Sequence, residues 1–520
     1  MQKETQQKSN AKQTALPKIS IEDLAVFCKK KGFVYPSSEI YGYISGFWDF
    51  GPVGVELFTN IKSDFWKFFV HTRSNMVGME ASIISHPRTW KASGHIESFG
   101  DLVIVCSKCS ERLRADHYIQ EKLGMNVEGK PVAEINKIIK DNNIKCPKCK
   151  HDFEELKKFN LLFETRVGAA GDKSNIAYLR GETAQGMFLD FKTIVDTNRV
   201  KLPFGMLQIG RCFRNEIAPR DFLFRSREFT IAEFEFFIHP DEKKCNILAK
   251  EQLNLKVPLL SAETQNKGSE KMEIVTIKEM LDKKKLDEWH AYWLAEQIRW
   301  MLELGLKSEN LKVREHTKTE LSHYSSATFD IDYAYPFGSK EVAGNANRGQ
   351  YDLNQQIKES GKELFIFNQD TKERIIPRVI EPTFGMERVF LAVLCEAYDD
   401  DKKRGNIVLH LSPKIAPIKA AVFPLLSNRE ELTKKAEGIY KDLKQELNCF
   451  YDDGGSIGRR YARQDELGTP YCITVDFDSL NDSTVTIRER DSTAQKRVKA
   501  KDLPVIIDCL IKGKMLFKNI

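Results

Sequence analysis

An arginine-rich segment between two strand-like runs, from Gln208 to Phe237, constrains the fold more than any other part of the chain. Its flanks alternate with a period of two, which indicates strands, and the Ala-Pro-Arg-Asp turn chemistry between Asn215 and Phe224 predicts that they form a hairpin. The segment contains five arginines and no lysine. Planar guanidinium groups bind phosphate and carboxylate oxygens in pairs, so this composition favours a site for an anionic ligand.

The predicted hairpin places several functional side chains on one surface of a sheet. Because side chains alternate across a strand, Arg214 and Glu216 share a face of the first strand. The same reasoning gives one face of the returning strand six residues: Arg225, Arg227, Phe229, Ile231, Glu233 and Glu235. Such a surface offers guanidinium groups to phosphate, an aromatic ring to a purine, and carboxylates to an amino group or a metal. A surface hairpin with alternating salt bridges is the alternative interpretation.

The order of these residues carries more information than their charge. The pattern begins with Arg214-x-Glu216, continues through a loop, and ends with Arg225, Phe229 and Glu233 at four-residue intervals. It resembles motif 2 of the class II aminoacyl-tRNA synthetases without a gap or substitution. The resemblance implies an α+β class II synthetase catalytic core, in which an antiparallel sheet is flanked by helices.

The overall composition is that of an ordinary globular protein. With 520 residues the chain should hold about three domains, and its net charge of +6 permits a nucleic-acid partner without requiring one. The composition of residues 1–18 predicts a disordered polar tail without the apolar core of a signal peptide. No apolar run in the sequence approaches the ~20 residues needed to span a membrane. Eleven cysteines, most of them single residues in apolar stretches, favour a reducing compartment. A cytoplasmic protein without a membrane partner is expected.

A strongly aromatic helix is predicted near the N-terminus. After a Gly/Pro turn, apolar residues recur with helical spacing at Leu57, Phe58, Ile61, Phe65, Trp66 and Phe69. Core packing is the default meaning of such a stripe, and a stripe this wide would also suit a subunit interface. The stretch from Gly46 to Val70 resembles motif 1 of the class II synthetases, which implies a homodimer.

Two cysteine pairs define a predicted zinc-binding insertion over about residues 101–158. Cys106 with Cys109 and Cys146 with Cys149 are separated by 36 residues. Each Cys-x-x-Cys turn presents two thiolates, and two such turns complete a tetrahedral sulfur shell around a structural Zn²⁺ ion. A redox role is the alternative, although no thioredoxin-like βαβ pattern surrounds either pair.

The remainder of the chain divides by composition and pattern. Residues from about 240 to 310 are lysine-rich and predict a second, helical insertion within a catalytic domain over 19–410. Alternating strands and helices over 411–520 predict a compact α/β domain. Its segment from Ser456 to Asp478 resembles the anticodon-binding domain shared by the glycine, threonine, proline and histidine synthetases.

Two segments supply candidate ligands around glycine-rich or small-residue turns. YLRGETAQGMF contains Arg180 and Glu182 and, taken alone, is equally consistent with a capped helix start. It resembles a segment of glycyl-tRNA synthetases whose glutamate contacts the ammonium group of the amino acid. SKEVAGNANRGQYDL places Glu341 before a turn and Arg348 after it. A carboxylate there suits Mg²⁺ bound to triphosphate oxygens, whereas an isolated glutamate would be an ordinary surface residue.

A third segment, RVIEPTFGMERVFLAVL, predicts a strand that runs into a helix. Glu381, Thr383 and Gly385 share one strand face, and Arg388 lies in the first helical turn. A glycine at such a junction lets a nucleotide approach the backbone. The GMER string resembles motif 3 of the class II synthetases, whose arginine contacts the γ-phosphate and the adenine.

The resemblance to the dimeric type of glycyl-tRNA synthetase extends from about Ile19 to the C-terminus and implies a role for each candidate. The implied ATP-binding residues are Arg214, Glu216, Arg225, Phe229, Glu341 and Arg388, of which Arg214, Glu216 and Arg388 would be catalytic. The implied glycine-binding residues are Arg180, Glu182, Glu233, Arg348, Glu381 and Thr383. Mg²⁺ would accompany ATP on Glu341 and Glu381. The implied partners are glycine, ATP, tRNA(Gly) and a second copy of the chain.

Two other functions remain open. A class II synthetase for a different amino acid is disfavoured by the two pocket glutamates and by the ETAQG and EPTFG strings. A synthetase-like accessory protein that binds nucleic acid would keep the fold and lose the arginines, whereas Arg214, Arg225 and Arg388 are all present. A class I synthetase would need a Rossmann nucleotide site, and neither its glycine-rich turn nor His-x-Gly-His is found.

Overall fold

A computed structural model describes residues 19–125, 127, 130–168, 175–322, 324–368 and 371–520; the predicted tail, 1–18, lies outside them. The described helices are α1 (Ile21–Lys31), α2 (Pro52–Trp66), α3 (Pro87–Ala92), α4 (His95–Ser98), α5 (Ala115–Leu123), α6 (Val132–Asp141), α7 (Ala184–Asn198), α8 (Lys250–Leu253), α9 (Ala262–Asn266), α10 (Ile277–Asp282), α11 (Glu288–Leu304), α12 (Tyr351–Ser360), α13 (Met386–Ala397), α14 (Glu430–Glu446), α15 (Ile457–Leu467), α16 (Phe477–Asp482) and α17 (Leu503–Ile511). None of these described helices has the length and apolar character that crossing a membrane requires.

The described strands are β1 (Val34–Pro36), β2 (Trp48–Phe50), β3 (Met76–Gly78), β4 (Ile84–Ser85), β5 (Gly100–Val105), β6 (Arg112–Arg114), β7 (Lys157–Asn160), β8 (Phe163–Arg166), β9 (Ile176–Leu179), β10 (Phe204–Phe213), β11 (Glu228–Ile238), β12 (Lys256–Leu260), β13 (Glu273–Thr276), β14 (Leu311–Glu315), β15 (Ala327–Tyr335), β16 (Gly338–Gly349), β17 (Ile366–Phe367), β18 (Arg374–Ile375), β19 (Arg378–Gly385), β20 (Tyr398–Asp401), β21 (Asn406–Leu409), β22 (Ala420–Pro424), β23 (Cys449–Tyr451), β24 (Tyr471–Val475), β25 (Thr484–Glu489) and β26 (Gln495–Lys499).

A nine-stranded sheet organises the main domain, in the order β13-β12-β14-β15-β16-β19-β11-β10-β3. Its neighbours pair antiparallel except β12 with β14 and β3 with β10. Helices α2, α11 and α13 share one large hydrophobic core with the sheet, and α7 packs on a second, smaller cluster. A large, mostly antiparallel sheet with flanking helices is the arrangement that the sequence predicts.

Helix α2 forms as predicted, and the structure shows where its aromatic stripe packs. Proline at its first turn starts the helix. Phe65 and Phe69 are fully buried, and the ring of Phe65 lies 4.9 Å from Trp300 and 5.0 Å from Phe384, centre to centre. Most of the stripe therefore packs in the chain's own core.

The helical insertion predicted over about 240–310 also contains strands. The segment does contain α8 to α11, but it also supplies β12 and β13, which extend the central sheet beyond β14. These strands are short, and their pairing is a tertiary choice that a lysine-rich composition does not reveal. In α11, Trp289, Trp293 and Trp300 are fully buried against the sheet. The segment is therefore part of the main domain's core.

The cysteine-bearing insertion forms a small subdomain. A three-stranded sheet in the order β6-β5-β7 and helices α5 and α6 enclose their own apolar cluster. The sulfur atoms of Cys106 and Cys149 lie 3.3 Å apart, those of Cys109 and Cys146 3.6 Å, and those of Cys109 and Cys149 3.4 Å. All four thiols are free. The two predicted pairs thus converge on one point.

The C-terminal domain follows the predicted order of elements. Its five-stranded sheet runs β23-β22-β24-β25-β26. The sequence pattern predicts helices over Asn428–Leu447 and Ile457–Leu467; α15 matches the second at both ends, and α14 lies within two residues of the first at each end. Strand β26 and helix α17 are not predicted by the sequence analysis, although Leu503 and Ile507 of α17 are fully buried in the domain's core.

Candidate active site

The arginine-rich hairpin forms, with its arginines beyond the strands rather than on them. Strands β10 and β11 pair up to Phe213 opposite Glu228, so residues 214–227 make up the connection. The predicted common face holds for Phe229, Ile231, Glu233 and Glu235. It is wrong for Arg214, Glu216, Arg225 and Arg227, because a helical turn (Phe222–Phe224) entered through a left-handed residue, Asp221, interrupts the pleat.

Arg214 lies between an aromatic surface and the loop that precedes α7. Its Nε donates to the carbonyl oxygen of Gly181 at 3.0 Å. Its guanidinium carbon lies 5.3 Å from the ring centre of Phe229 and 5.2 Å from that of Phe99. Within the part of the chain that the structure describes, its two Nη atoms donate to no protein group. These contacts orient the guanidinium and leave its terminal donors for a ligand.

Ion pairs join the hairpin connection to the cysteine-bearing subdomain. Arg225 Nε donates to Glu216 Oε2 at 2.7 Å. Asp101 on β5 lies 3.9 Å from Arg225 and 3.0 Å from Arg114. Burial raises the pKa of Asp101 although both arginines oppose the change. Asp101 belongs to no sequence motif, and only the fold shows that the subdomain contacts Arg225.

Arg388 and Glu341 form a second charged pair. Arg388 Nη1 lies 3.1 Å from both the carbonyl oxygen and Oε2 of Glu341, and its guanidinium carbon lies 4.4 Å from the ring centre of Phe224. The Glu341 side chain is 45% exposed; desolvation by nearby protein atoms would raise its pKa, but the charge of Arg388 outweighs this and lowers the pKa below its usual range. Glu341 is therefore an ionised carboxylate beside an arginine.

Glu381 is remote from Glu341, so the prediction that both bind one Mg²⁺ ion is wrong. Glu381 pairs across strands with Ala346, five residues along β16 from Glu341. At the usual strand rise of ~3.3 Å per residue, the two positions are roughly 16 Å apart. Mg²⁺ ligands lie about 2.1 Å from the ion, and two such distant side chains cannot share it.

Glu182, in the loop before α7, is surrounded by polar side chains. His95 Nε2 lies 3.1 Å from its Oε2, Gln185 donates to its Oε1 at 3.1 Å, and Arg348 lies 4.0 Å away. Burial would raise the pKa of Glu182, but these neighbours, His95 foremost, hold it well below its usual range. The carboxylate is therefore ionised although it is buried.

Glu233, on β11, accepts hydrogen bonds from two other elements. Thr183 donates to its Oε2 from the amide at 3.1 Å and from the hydroxyl at 2.5 Å. Thr383, which pairs directly with Glu233 across strands, donates to its Oε1 at 2.9 Å. These three donors fix the orientation of the carboxylate.

Arg348 ties Glu381 to helix α12. Its guanidinium donates to both oxygens of Asp352 at 2.7 and 2.8 Å and also to Glu381. Its guanidinium carbon lies 3.9 Å from the ring centre of Tyr324. Burial raises the pKa of Glu381 well above its usual range, although the charge of Arg348 opposes the change.

Arg180 hydrogen-bonds to the backbone around the pocket, and its contact with glycine stays a prediction. Its Nε donates to the carbonyl oxygen of Arg211 and its Nη1 to that of Ala81, both at 2.7 Å, while Nη1 also lies 3.4 Å from Gln208 Oε1. These acceptors hold the buried guanidinium among the backbone groups that support the pocket.

The sequence motifs do not single out His95 or Asp352, and they include Thr183 only as part of the ETAQG turn. His95, Thr183 and Asp352 reach Glu182, Glu233 and Arg348 from separate elements. Thr183 stands within the ETAQG string, but its function as a hydrogen-bond donor to Glu233 has no sequence signature. His95 and Asp352 are single polar residues in helices, where a surface position is the usual expectation.

The assembled site suits a small zwitterion beside a polyanion. Glu182, Glu233 and Glu381 offer carboxylates to an ammonium group. Arg214 packs against Phe229, while Arg225 pairs with Glu216 and Arg388 pairs with Glu341. Charge-assisted hydrogen bonds from such groups are strong and directional.

Known proteins resemble the chain over nearly its whole length. Residues 419–510 match the family described as anticodon binding domain. A curated glycine–tRNA ligase from Caldanaerobacter subterraneus subsp. tengcongensis is 43% identical over 489 residues, covering 92% of this chain and 96% of the relative. Two others, from Geobacillus thermodenitrificans and Clostridium perfringens, are 41% and 40% identical, each covering 94% of this chain and respectively 97% and 98% of the relative.

Proposed function

This chain belongs to the glycine–tRNA ligases, and from that premise we propose how its residues activate glycine with ATP and transfer it to tRNA(Gly). The observation that carries the assignment is the position of Arg214. Its Nε is bound to Gly181, the residue before Glu182, while its guanidinium packs against Phe229. These contacts support a role for Arg214 in bridging a glycine carboxylate and an α-phosphate.

The ammonium group of glycine binds among Glu182, Glu233 and Glu381. The first two are oriented by donors from the protein, which reduces the cost of ordering them when glycine binds. Glycine offers no side chain to recognise, so discrimination depends on exclusion. Thr383 lies directly opposite Glu233 on the neighbouring strand, on the same face of the sheet. Its side chain forms the pocket wall near the α-carbon of glycine.

ATP binds across the hairpin surface. Phe229 stacks on the adenine, Glu216 orients Arg225, and Arg225 with Arg388 contacts the outer phosphates. Mg²⁺ that accompanies ATP would neutralise phosphate charge, and the ionised carboxylate of Glu341 would hold it.

The reaction needs positioned cations and no covalent nucleophile. A glycine carboxylate oxygen forms a bond to the α-phosphorus, and the bond from that phosphorus to the bridging oxygen breaks, with the electron pair leaving on pyrophosphate. Both reactants are anions, so arginines oriented toward the developing charge supply most of the catalysis. The terminal ribose hydroxyl of tRNA(Gly) then attacks the carbonyl carbon of glycyl adenylate, and AMP leaves.

Amino-acid-dependent ATP–pyrophosphate exchange tests this function against its rivals. Across the twenty amino acids, only glycine should support exchange. An accessory protein would support none, and a ligase for another amino acid would respond to that amino acid instead.

Substitution of Thr383 tests the exclusion wall. Thr383→Gly should raise exchange with alanine relative to glycine by about tenfold, because a clash with one methyl group costs ~1–3 kcal/mol. Thr383→Ser is the matched control: it keeps the hydroxyl that donates to Glu233 and should retain glycine activity. An unchanged glycine-to-alanine ratio in Thr383→Gly would place the wall elsewhere.

The four-cysteine cluster suits a structural Zn²⁺ ion. Tetrahedral coordination at about 2.3 Å places sulfur atoms roughly 3.8 Å apart, close to the separations of 3.3–3.6 Å in this cluster. Four thiolates leave no open position for catalysis.

Metal analysis should find one zinc ion per chain in protein purified without chelator. The double substitution Cys146→Ser, Cys149→Ser should remove it, while Cys509→Ser, outside the cluster, should not. Wild-type protein without zinc would refute the assignment.

An exposed apolar loop before α2 is the proposed contact between two copies of the chain. Ile40 and Tyr41 are 87% and 88% exposed, and Tyr43 and Ile44 are 60% and 61% exposed. Contiguous apolar surface of this kind marks interaction sites. Sedimentation equilibrium should give twice the chain mass of 59.8 kDa, and Tyr41→Asp should reduce it to one chain.

A further inference from the structure

Glu235 is a buried carboxylic acid without a role in the chemistry described above. It lies on β11 two residues after Glu233, on the same strand face, and is fully buried. The strand register places it directly opposite Glu381 of β19. On its other side, its partner on β10 is Met206, which belongs to an apolar cluster. Glu235 therefore marks the boundary between the glycine pocket and the hydrophobic core.

Among the described residues, no cation forms an ion pair with Glu235. Neither of its oxygens accepts a hydrogen bond from the residues that the structure describes. The neighbouring Arg348 donates instead to Asp352 and Glu381. With Glu233 also nearby, three other carboxylates surround Glu235 and compete for one guanidinium. An ionised carboxylate in such a place is far less stable than a protonated one.

We propose that Glu235 is held as a neutral acid and donates its proton in a hydrogen bond to the carboxylate of Glu381. One oxygen from each of Glu233, Glu235 and Glu381 lies within 4.8 Å of the others, so a small torsional adjustment brings the pair into contact. The pKa values of both carboxyls are raised, but Arg348 donates to Glu381 and not to Glu235, so Glu381 is the one of the pair that carries the negative charge. Glu235 is thus a positioning residue that acts on glycine through Glu381.

The electrostatics of the pair agree with this geometry. Burial, followed by the charge of Glu381, raises the pKa of Glu235 well above its usual range. The pKa of Glu381 is raised as well, and two such close carboxyls share protons as a unit. The charged groups that face Glu235 are Glu233 from its own strand, Glu381 from β19, Arg348 from β16 and Asp352 from α12.

A neutral Glu235 would benefit the glycine site in two ways. An ionised carboxylate opposite Glu381 would repel it, since like charges directly opposed across strands are destabilising. A protonated one gives Glu381 a donor in addition to Arg348 and so fixes its orientation. This inference rests on the proposed glycine site, in which Glu381 contacts the ammonium group.

An infrared difference spectrum tests the protonation state without relying on catalysis. At neutral pH the wild type should show the C=O stretch of a protonated carboxylic acid, shifted in deuterium oxide and absent from Glu235→Gln. Glu233→Gln, two residues away on the same face, is the matched control and should keep the band. A wild-type spectrum without such a band would overturn the proposal.

Exchange kinetics test the positioning role. Glu235→Gln keeps a neutral donor, so its KM for glycine should stay within about threefold of wild type, whereas Glu235→Met should raise it about tenfold by removing a hydrogen bond to a charged group. The KM for ATP should be unchanged in both. If Glu235→Met fails to fold, the infrared spectrum and the KM of Glu235→Gln for glycine still test the proposal.

The control variant separates two kinds of failure. If Glu233→Gln raises the KM for glycine and Glu235→Gln raises it equally, Glu235 is ionised and the inference is wrong. If Glu233→Gln leaves that KM unchanged, the proposed glycine site is itself wrong.

Discussion

Arg214→Lys is expected to slow glycine activation nearly as much as Arg214→Ala, by roughly 10²-fold or more, the loss typical of removing a preorganised transition-state donor. Arg214 uses Nε to hold Gly181 and presents its Nη atoms separately, against the face of Phe229. A lysine ammonium is a single point of charge and cannot keep the first contact while bridging a phosphate and a carboxylate.

The rate of pyrophosphate exchange at saturating glycine and ATP is the measurement. Arg220→Lys is the matched control, because Arg220 lies in the same connection but at its exposed tip, where it contacts His117. That variant should stay within about threefold of wild type, as expected for an exposed residue without a ligand role. If Arg214→Lys also stays within about threefold of wild type, Arg214 does not bridge the phosphate and the carboxylate.

Removal of the C-terminal domain is expected to abolish charging of tRNA(Gly) and to leave pyrophosphate exchange largely intact. Every residue assigned to glycine or ATP precedes α13 or lies in its first turn. The domain that matches the anticodon-binding family begins at residue 419. Charging should therefore fail because the tRNA loses a binding surface, and not because adenylate formation stops.

The structure determines where the chain must be cut. Leu411, Ile415 and Ala416 are buried in the main domain's core, and Asn60 donates to the carbonyl oxygens of Ile415 and Ala416 at 3.2 and 3.0 Å. A truncation at residue 412 would remove these contacts, so the cut belongs after Ile418. Far-ultraviolet circular dichroism and thermal unfolding would establish that the remainder folds. If a folded truncation loses tRNA charging and pyrophosphate exchange equally, the C-terminal domain is also needed for adenylate formation and the prediction is wrong.

Local sequence was sufficient for elements whose cues lie within one segment. The Gly/Pro turn and the apolar stripe are sufficient to predict α2, because both signals lie within one short segment. The strands β12 and β13 were missed because their stability comes from pairing at a sheet edge. Burial in α11 was likewise invisible, since its three tryptophans are recognisable as core only once the sheet is present.

The sequence by itself determined which chemical groups the site contains: the hairpin arginines, Phe229, Glu182, Glu233, Glu341, Glu381 and the four cysteines. Only the tertiary structure decided which of these groups contact one another and which contact other parts of the chain. It separated Glu341 from Glu381 by strand register, committed Arg180 to backbone carbonyls, and brought His95 to Glu182. Motifs record residue types at fixed spacing along the chain. Ion pairs and hydrogen bonds act through space, and their partners come from whichever elements the packed sheet places within about 3 Å of one another.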